Sequence, residues 1–247
     1  LTSLNRTDAL SNNLANLTTT GFKPELAFAR ERDHVRAEDG LWAVPSNALL
    51  ETLGAGAHMA PNRVNHAQGN LSSTDNPLAL AIQGDGFFVL RSSADGDTTG
   101  IKLTRDGRMT RDSTGRLVNA STGLPVLSVR NRPIVLDPNY AVTIDHDGTI
   151  RQAGTEVDRV QVIDIDDKTQ LTKEAAGQFG ISQRALNRAR PATGRIEQGV
   201  LEDSAVNPIT AMMGVQSAAR AVGTNFTMIS YQDKMMERAI NTFARIG

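Results

Sequence analysis

Four histidines, His34, His58, His66 and His146, are the side chains best suited to move protons or ligate a metal. None has a second histidine three or four residues away, the spacing that brings two imidazoles to one helix face around zinc. Asp145-His146-Asp147-Gly148 opens like a calcium loop with Glu156 at the twelfth position. Thr149 holds its fifth position, however, and Ile150 its sixth, where such loops need glycine. The four residues therefore read as a hairpin turn closed by Asx hydrogen bonds. Gly84-Asp85-Gly86 lacks the third glycine of a dinucleotide fingerprint, because Val89 stands there, and strand-forming residues follow it instead of a helix. There is no Gly-x-Ser-x-Gly elbow, no Gly-Lys-Ser/Thr phosphate loop, and no cysteine to serve as nucleophile, metal thiolate or disulfide partner. Carboxylates are plentiful, but no spacing marks out a catalytic pair. The sequence thus assigns no catalytic, metal-binding or cofactor-binding residue and predicts no cofactor and no enzyme. A hydrolase with acidic catalysis would need a concave pocket with two close, buried carboxylates.

The chemistry that remains is that of apolar surface, and the last forty residues carry most of it. Apolar residues step by four and three through Met212, Val215, Ala219, Val222, Phe226, Ile229, Met236, Ile240 and Phe243, with only Asp233 breaking the run. That is a coiled-coil seam. Asn207 is placed to cap the helix and Pro208 to open it. A helix over 208–245 would be about 57 Å long, and its seam would be worth on the order of 10 kcal/mol if fully buried. Met212-Met213 and Met235-Met236 lie at or beside the seam, where methionine fills packing gaps. At the other end, Leu10, Leu14 and Leu17 recur at helical spacing, with Leu1 and Leu4 upstream. Asn12, Asn13 and Asn16 weaken that helix, and Gly21 suits the left-handed conformation of a cap or turn that ends it.

Between the helices the character changes twice. Residues 24–60 read as a connector with weak local structure, charged over 26–38 and punctuated by Gly40, Pro45, Gly54 and Gly56. Strand-like runs then follow at 77–82, 86–90, 101–104, 108–111, 116–119, 125–129, 141–145, 149–152 and 159–165. Gly84-Asp85-Gly86, Asp106-Gly107, Ser113-Thr114-Gly115 and Asp147-Gly148 separate them as hairpin signals. Residues 168–200 read as loop-rich. The expected fold class is α+β: N- and C-terminal helices forming a coiled-coil-like helical domain, with a central all-β domain between them. The expected divisions are 1–23, 24–60, 61–200 and 201–247.

Composition excludes several functions. Hydrophobic residues make up 39% and aromatics only 4%, so the core should be aliphatic. The formal net charge is −1, which gives no electrostatic case for nucleic acid or an anionic membrane. No run of eighteen apolar residues exists for membrane insertion as a helix, and residues 1–16 lack the apolar stretch of a cleaved signal peptide.

Ser11-Asn12-Asn13-Leu14-Ala15-Asn16 followed by Thr20-Gly21-Phe22-Lys23 resembles the N-terminal signature of flagellar basal-body rod and hook proteins. Gln68-Gly69-Asn70-Leu71 and the stretch from Asn76-Pro77-Leu78 to Gly86-Phe87-Phe88 resemble the next block. Thr104-Arg105-Asp106-Gly107 and Asp112-Ser113-Thr114-Gly115-Arg116-Leu117-Val118 resemble the hairpin after it, and Gly199 to Asn207 the block that opens the C-terminal helix. Size and the single β domain resemble the proximal or distal rod subunits, of FlgF or FlgG type. The short connector, Val206-Asn207-Pro208 and Ala211-Met212 lean to the proximal FlgF type. Ala205 departs from the pattern, which often has Asn there.

The resemblance implies a structural subunit of the periplasmic rod, exported unfolded by the flagellar type III apparatus. Its terminal helices would pack into the inner wall of a hollow, torque-transmitting tube. Leu10, Asn13, Leu14, Asn16 and Leu17, together with the C-terminal seam, would form the assembly surface. The implied partners are sister copies, other rod subunits and the ring proteins of the basal body. The alternative on the residues alone is a binding module, a β domain on a dimeric coiled-coil stalk.

Overall fold

The computed structural model describes residues 2–31, 56–92 and 100–243. Leu1 and His34, and all but the ends of the 24–60 stretch, lie outside them. The helices are α1 (Thr2–Ala15), α2 (Gln183–Leu186) and α3 (Pro208–Phe243). The first strands are β1 (Glu25–Glu31), β2 (Ala57–Val64), β3 (Leu71–Ser73), β4 (Leu80–Gln83), β5 (Phe87–Arg91), β6 (Ile101–Thr104), β7 (Met109–Arg111) and β8 (Leu117–Asn119). They continue as β9 (Val142–Ile144), β10 (Thr149–Gln152), β11 (Thr155–Arg159), β12 (Val162–Asp164), β13 (Leu171–Lys173), β14 (Gln178–Ile181), β15 (Arg190–Pro191), β16 (Arg195–Gln198) and β17 (Val200–Glu202). N- and C-terminal helices that pack on each other, with a β-rich region of antiparallel sheets between them in sequence, make the expected α+β class. The chain divides into two compact units.

One unit holds α1, β1, β2 and α3. Asn207 caps α3 as expected: its Oδ1 accepts from the Ile209 and Thr210 amides at 3.0 and 3.2 Å. Helix α1, rich in weak helix formers, is held by packing on the first half of α3. The two run in opposite directions, because Leu10 lies over Gly214 while Asn225 donates to the Ser3 hydroxyl at 3.3 Å. A Cβ on Gly214 would meet Leu10 Cδ2 at 3.1 Å. Ala211, Gly214 and Ala218 form the face of closest approach, and Ala9 is buried with them. The Asn13 side chain fastens strand β1 to α1. The buried Asn13 amide donates to the Glu25 carbonyl at 2.7 Å, and its oxygen accepts from the Glu25 amide at 2.9 Å. Strands β1 and β2 form a two-stranded sheet, and the Arg63 guanidinium lies over the Phe28 ring.

The other unit, residues 16–24 and 64–206, is the β domain. Its largest sheet runs β13-β14-β6-β5-β12-β15; β11-β10-β9 form a second, and β16-β4, β17-β3 and β7-β8 pair separately. The contiguous apolar run Phe87-Phe88-Val89-Leu90 is explained by burial on both faces. Phe88 and Leu90 enter one core with Ile82, Leu117, Ile134 and Ile150, while Phe87 and Val89 enter another with Leu103, Leu127, Phe179 and Ile181. Both cores are mainly aliphatic, as the low aromatic content requires.

Two of the four hairpin signals are hairpins. Asp147-Gly148 turns β9 into β10, and Ser113-Thr114-Gly115 turns β7 into β8. Gly84-Asp85-Gly86 and Asp106-Gly107 instead join strands that pair elsewhere. Gly107 is needed for close approach, because a Cβ there would collide with the Leu80 carbonyl oxygen, whose own amide donates to the Gly107 carbonyl at 3.0 Å. The Asp106 carboxylate is taken up by Arg108 and by the Ser121 hydroxyl.

Candidate assembly interface

The terminal helices present most of the residues that the sequence singles out. Val215 and Val222 are half-buried on the α1-facing side of α3, and Leu10 and Leu14 are half-buried on α1. Ala219 and Met212 are exposed, one residue round the helix from the small Ala211-Ala218 face. Past Asn225, α1 no longer covers α3. Phe226, Ile229, Met236 and Ile240 are 63%, 53%, 59% and 68% exposed. Met228, Tyr231 and Met235 are exposed on another side of the same helix. Phe243 closes α3, and its side chain lies outside the described residues. Asn13 is engaged inside the protomer with β1. In the β domain unit, Asn16 accepts from the Thr19 hydroxyl at 3.1 Å and Leu17 is half-buried. The chain therefore carries a long helix whose apolar stripe is half-covered by its own α1 and otherwise open to solvent.

A second feature, invisible at the level of sequence spacing, lies inside the β domain. Lys23, Arg105 and Glu202 are all buried. The Lys23 ammonium pairs with Glu202 Oε1 at 2.5 Å and donates to the Ala67 carbonyl at 2.7 Å. The same carboxylate oxygen accepts from the Gly69 amide at 2.9 Å, and Oε2 pairs with Arg105 at 3.2 Å. Arg105 also donates to the Ile82 and Gly84 carbonyls and lies over the Phe87 ring. Gly21, at φ +66°, donates its amide to the Glu202 carbonyl at 2.7 Å, while Ala205 donates to the Phe22 carbonyl. A Cβ on Gly21 would strike the Arg105 backbone. Lys173 sits 3.9 Å from the Phe22 ring centroid and donates to the Lys23 carbonyl. Burial pulls the Lys23 pKa down, against the attraction of Glu202.

The segments meeting here are Gly21-Phe22-Lys23, Gln68-Gly69, Arg105-Asp106 and Leu201-Glu202. They come from the separate motifs quoted above for their resemblance to rod and hook proteins. Distant in sequence, those motifs meet in one polar lock, which fixes the chain just after α1 and just before α3 in sequence. Shared membership of the motifs was the signal that could have found it.

The remaining candidates for chemistry among the described residues lie in a turn, at the surface or in a core. Asp147 Oδ1 accepts from the Thr149 amide, and Asp145 and Asp147 pair with Arg151 and Arg159. These contacts make the calcium-like segment the Asx-closed turn its residues suggest. His58 is exposed, and His146 lies at the surface beside Glu197. His66 packs between Phe87 and Phe179. Burial above all, aided by Lys168, Lys23, Arg105 and Lys173, lowers its pKa to about 4. No helix among the described residues is long and apolar enough to cross a membrane.

Residues 81–152 match the family described as flagellar hook protein FlgE/F/G D1 domain, and residues 197–242 the one described as flagellar basal body rod FlgEFG protein C-terminal. With two packed terminal helices and a β domain between them in sequence, these matches define a structural protein of the flagellar hook and rod class. The flagellar basal-body rod protein FlgF of Salmonella typhimurium is 31% identical over 96% of this chain and 91% of its own length. FlgF of Mesorhizobium japonicum is 30% identical over 96% of this chain and 91% of its own length, and FlgG of Buchnera aphidicola 30% over 93% and 90%. The chain belongs to the FlgF/FlgG family of flagellar basal-body rod proteins. It is a non-enzymatic structural subunit of the flagellar basal-body rod, and the family implies assembly with other rod subunits. That membership displaces the reading as a stalked binding module.

Proposed function

We propose that this subunit polymerises through its terminal helices, with sister copies and adjoining rod subunits, into a hollow shaft that transmits torque. The carrying observation is the second half of α3, where Phe226, Ile229, Met236 and Ile240 stay open to water in one protomer. Each would gain about 1.5–3 kcal/mol on full burial. A long helix with apolar residues on more than one side is suited to a crowded, multi-chain setting. The assembly surface in this reading combines Leu10, Leu14 and Leu17 with Met212, Val215, Ala219, Val222, Phe226, Ile229, Met236, Ile240 and Phe243. Asn13 and Asn16 hold the N-terminal segment in shape. Resemblance to the rod family supports export in an unfolded state, contact with ring proteins and placement of the β domain outside the helical wall. It also supports the proximal subunit type.

The test is Ile229→Asp, an exposed position whose change leaves the protomer intact. The β domain should melt at an unchanged temperature while the variant fails to enter rods and cells lose motility. Wild-type rod incorporation by Ile229→Asp would overturn the proposal, as would a discrete dimer of the wild-type chain as its final assembly by light scattering.

A further inference from the structure

A groove of about 400 Å³ runs between α1 and the β1–β2 ribbon, wholly within the helical unit. Leu10, Leu26, Phe28 and Met59 line it, and the last three are 45%, 44% and 47% exposed. Arg6 stands in its wall, exposed and without an ion-pair partner among the described residues. A two-stranded ribbon has little stability of its own, and its exposed apolar face invites a covering element.

The same chain carries a surface of matching chemistry. On the uncovered half of α3, Phe226, Ile229, Asp233, Met236 and Ile240 follow at steps of three and four, the anchor spacing of a helix seated in a groove. Its one charge is acidic; the groove lining holds two charges, Glu25, whose carboxylate already accepts from Asn62, and Arg6, which faces no ion-pair partner among the described residues. The stripe also continues the line of Val215 and Val222 on the side that α1 covers within the protomer.

The geometry points to a head-to-tail contact in which the second half of α3 from one copy docks in the α1/β1–β2 groove of a second copy, with Asp233 meeting Arg6. The pair does not form within one chain. Ser3 already lies at Asn225, Asp233 is about 12 Å further along the axis at 1.5 Å per residue, and Arg6 lies on the other side of Ser3. In the head-to-tail arrangement each copy gives its stripe to one neighbour and its groove to another, so the contact is heterologous, and one that does not close into a ring propagates as an open helical polymer. This inference rests on the helix-driven assembly proposed above and names the surface that receives the helix.

The chain has no cysteine, so single introduced thiols report cleanly. Chains bearing Phe28→Cys are co-assembled with chains bearing Ile229→Cys and oxidised, with Lys234→Cys as the off-stripe control. The expected result is an interchain disulfide for Ile229→Cys at a yield about tenfold above the control. In parallel, Arg6→Asp or Asp233→Arg alone should lower assembly about tenfold, and the two together in one chain should restore it. Absence of either the cross-link or the restoration overturns the groove contact. If Ile229→Asp still abolishes assembly in that case, helix-driven polymerisation stands with a different receiving surface. If Ile229→Asp assembles normally, both inferences fall.

Discussion

At Glu202 one carboxylate, shut off from water, holds two cations and a backbone amide. A buried ion pair need not stabilise relative to apolar packing, but removing one partner strands the others in a low-dielectric site. Glu202→Gln leaves Lys23 and Arg105 buried without a counter-charge. Urea unfolding of the β domain should show a loss of about 3–5 kcal/mol. Adding Lys23→Met to that variant should recover part of the loss, because one stranded cation is gone. His66 predicts a pH dependence of definite sign. Its pKa is about 4 in the folded protein against an ordinary 6.5. Above 6.5 the ring is neutral in both states and has no effect. Between 6.5 and 4 the unfolded chain binds a proton that the folded one refuses, so stability falls with falling pH; below 4 the loss levels off. The ring is partly solvated, which limits the effect to about 1–2 kcal/mol. His66→Leu should abolish that part of the slope in denaturation series across this range.

At the scale of elements, α1 depends on a small-residue face on α3. Ala218→Leu inserts bulk where Ala218 is buried, and overpacking of this kind costs about 1–3 kcal/mol. Amide exchange in 2–15 should accelerate while the melting of the β domain stays unchanged. Helix α3 and its Asn207 cap were legible in the sequence, because cap, proline and helical spacing are local signals. Strand β5 was legible as a contiguous apolar run. The face α1 chooses was less so: the heptad pattern emphasises Met212 and Ala219, whereas contact follows Ala211, Gly214 and Ala218, where small size permits close approach. Residues 168–200 read as loop yet carry β13 to β16. These strands are two to four residues long, too short for alternation to register. Buried Gln178-Phe179-Gly180-Ile181 of β14 is a strand because β13 and β6 flank it. Strands β1 and β2 lie at the two ends of the stretch that reads as a connector, and they pair with each other across a long sequence separation. Lys23, Arg105 and Glu202 escaped notice for a similar reason: the bonds to Glu202 span 179 and 97 residues.

For the whole molecule, the proposed helix-driven assembly predicts a difference between the two halves of α3. In the free subunit, amides of the second half of α3 should exchange faster than those of 208–225, where α1 packs. In assembled rods both halves should be protected. Equal protection in the free chain would mean that the protomer needs no neighbour. Glu202 adds a constraint of timing. Its strand, β17, is the last of the β domain, whereas Lys23 precedes it by 179 residues and Arg105 by 97. A polypeptide delivered end-on from its N-terminus therefore displays both cations long before their counter-ion arrives, and they stay hydrated until then. If the subunit is exported unfolded, as proposed, the anchor at residues 21–23 is set only after Glu202 has emerged, so a partly delivered chain would remain pliable and the finished one would stiffen at a stroke.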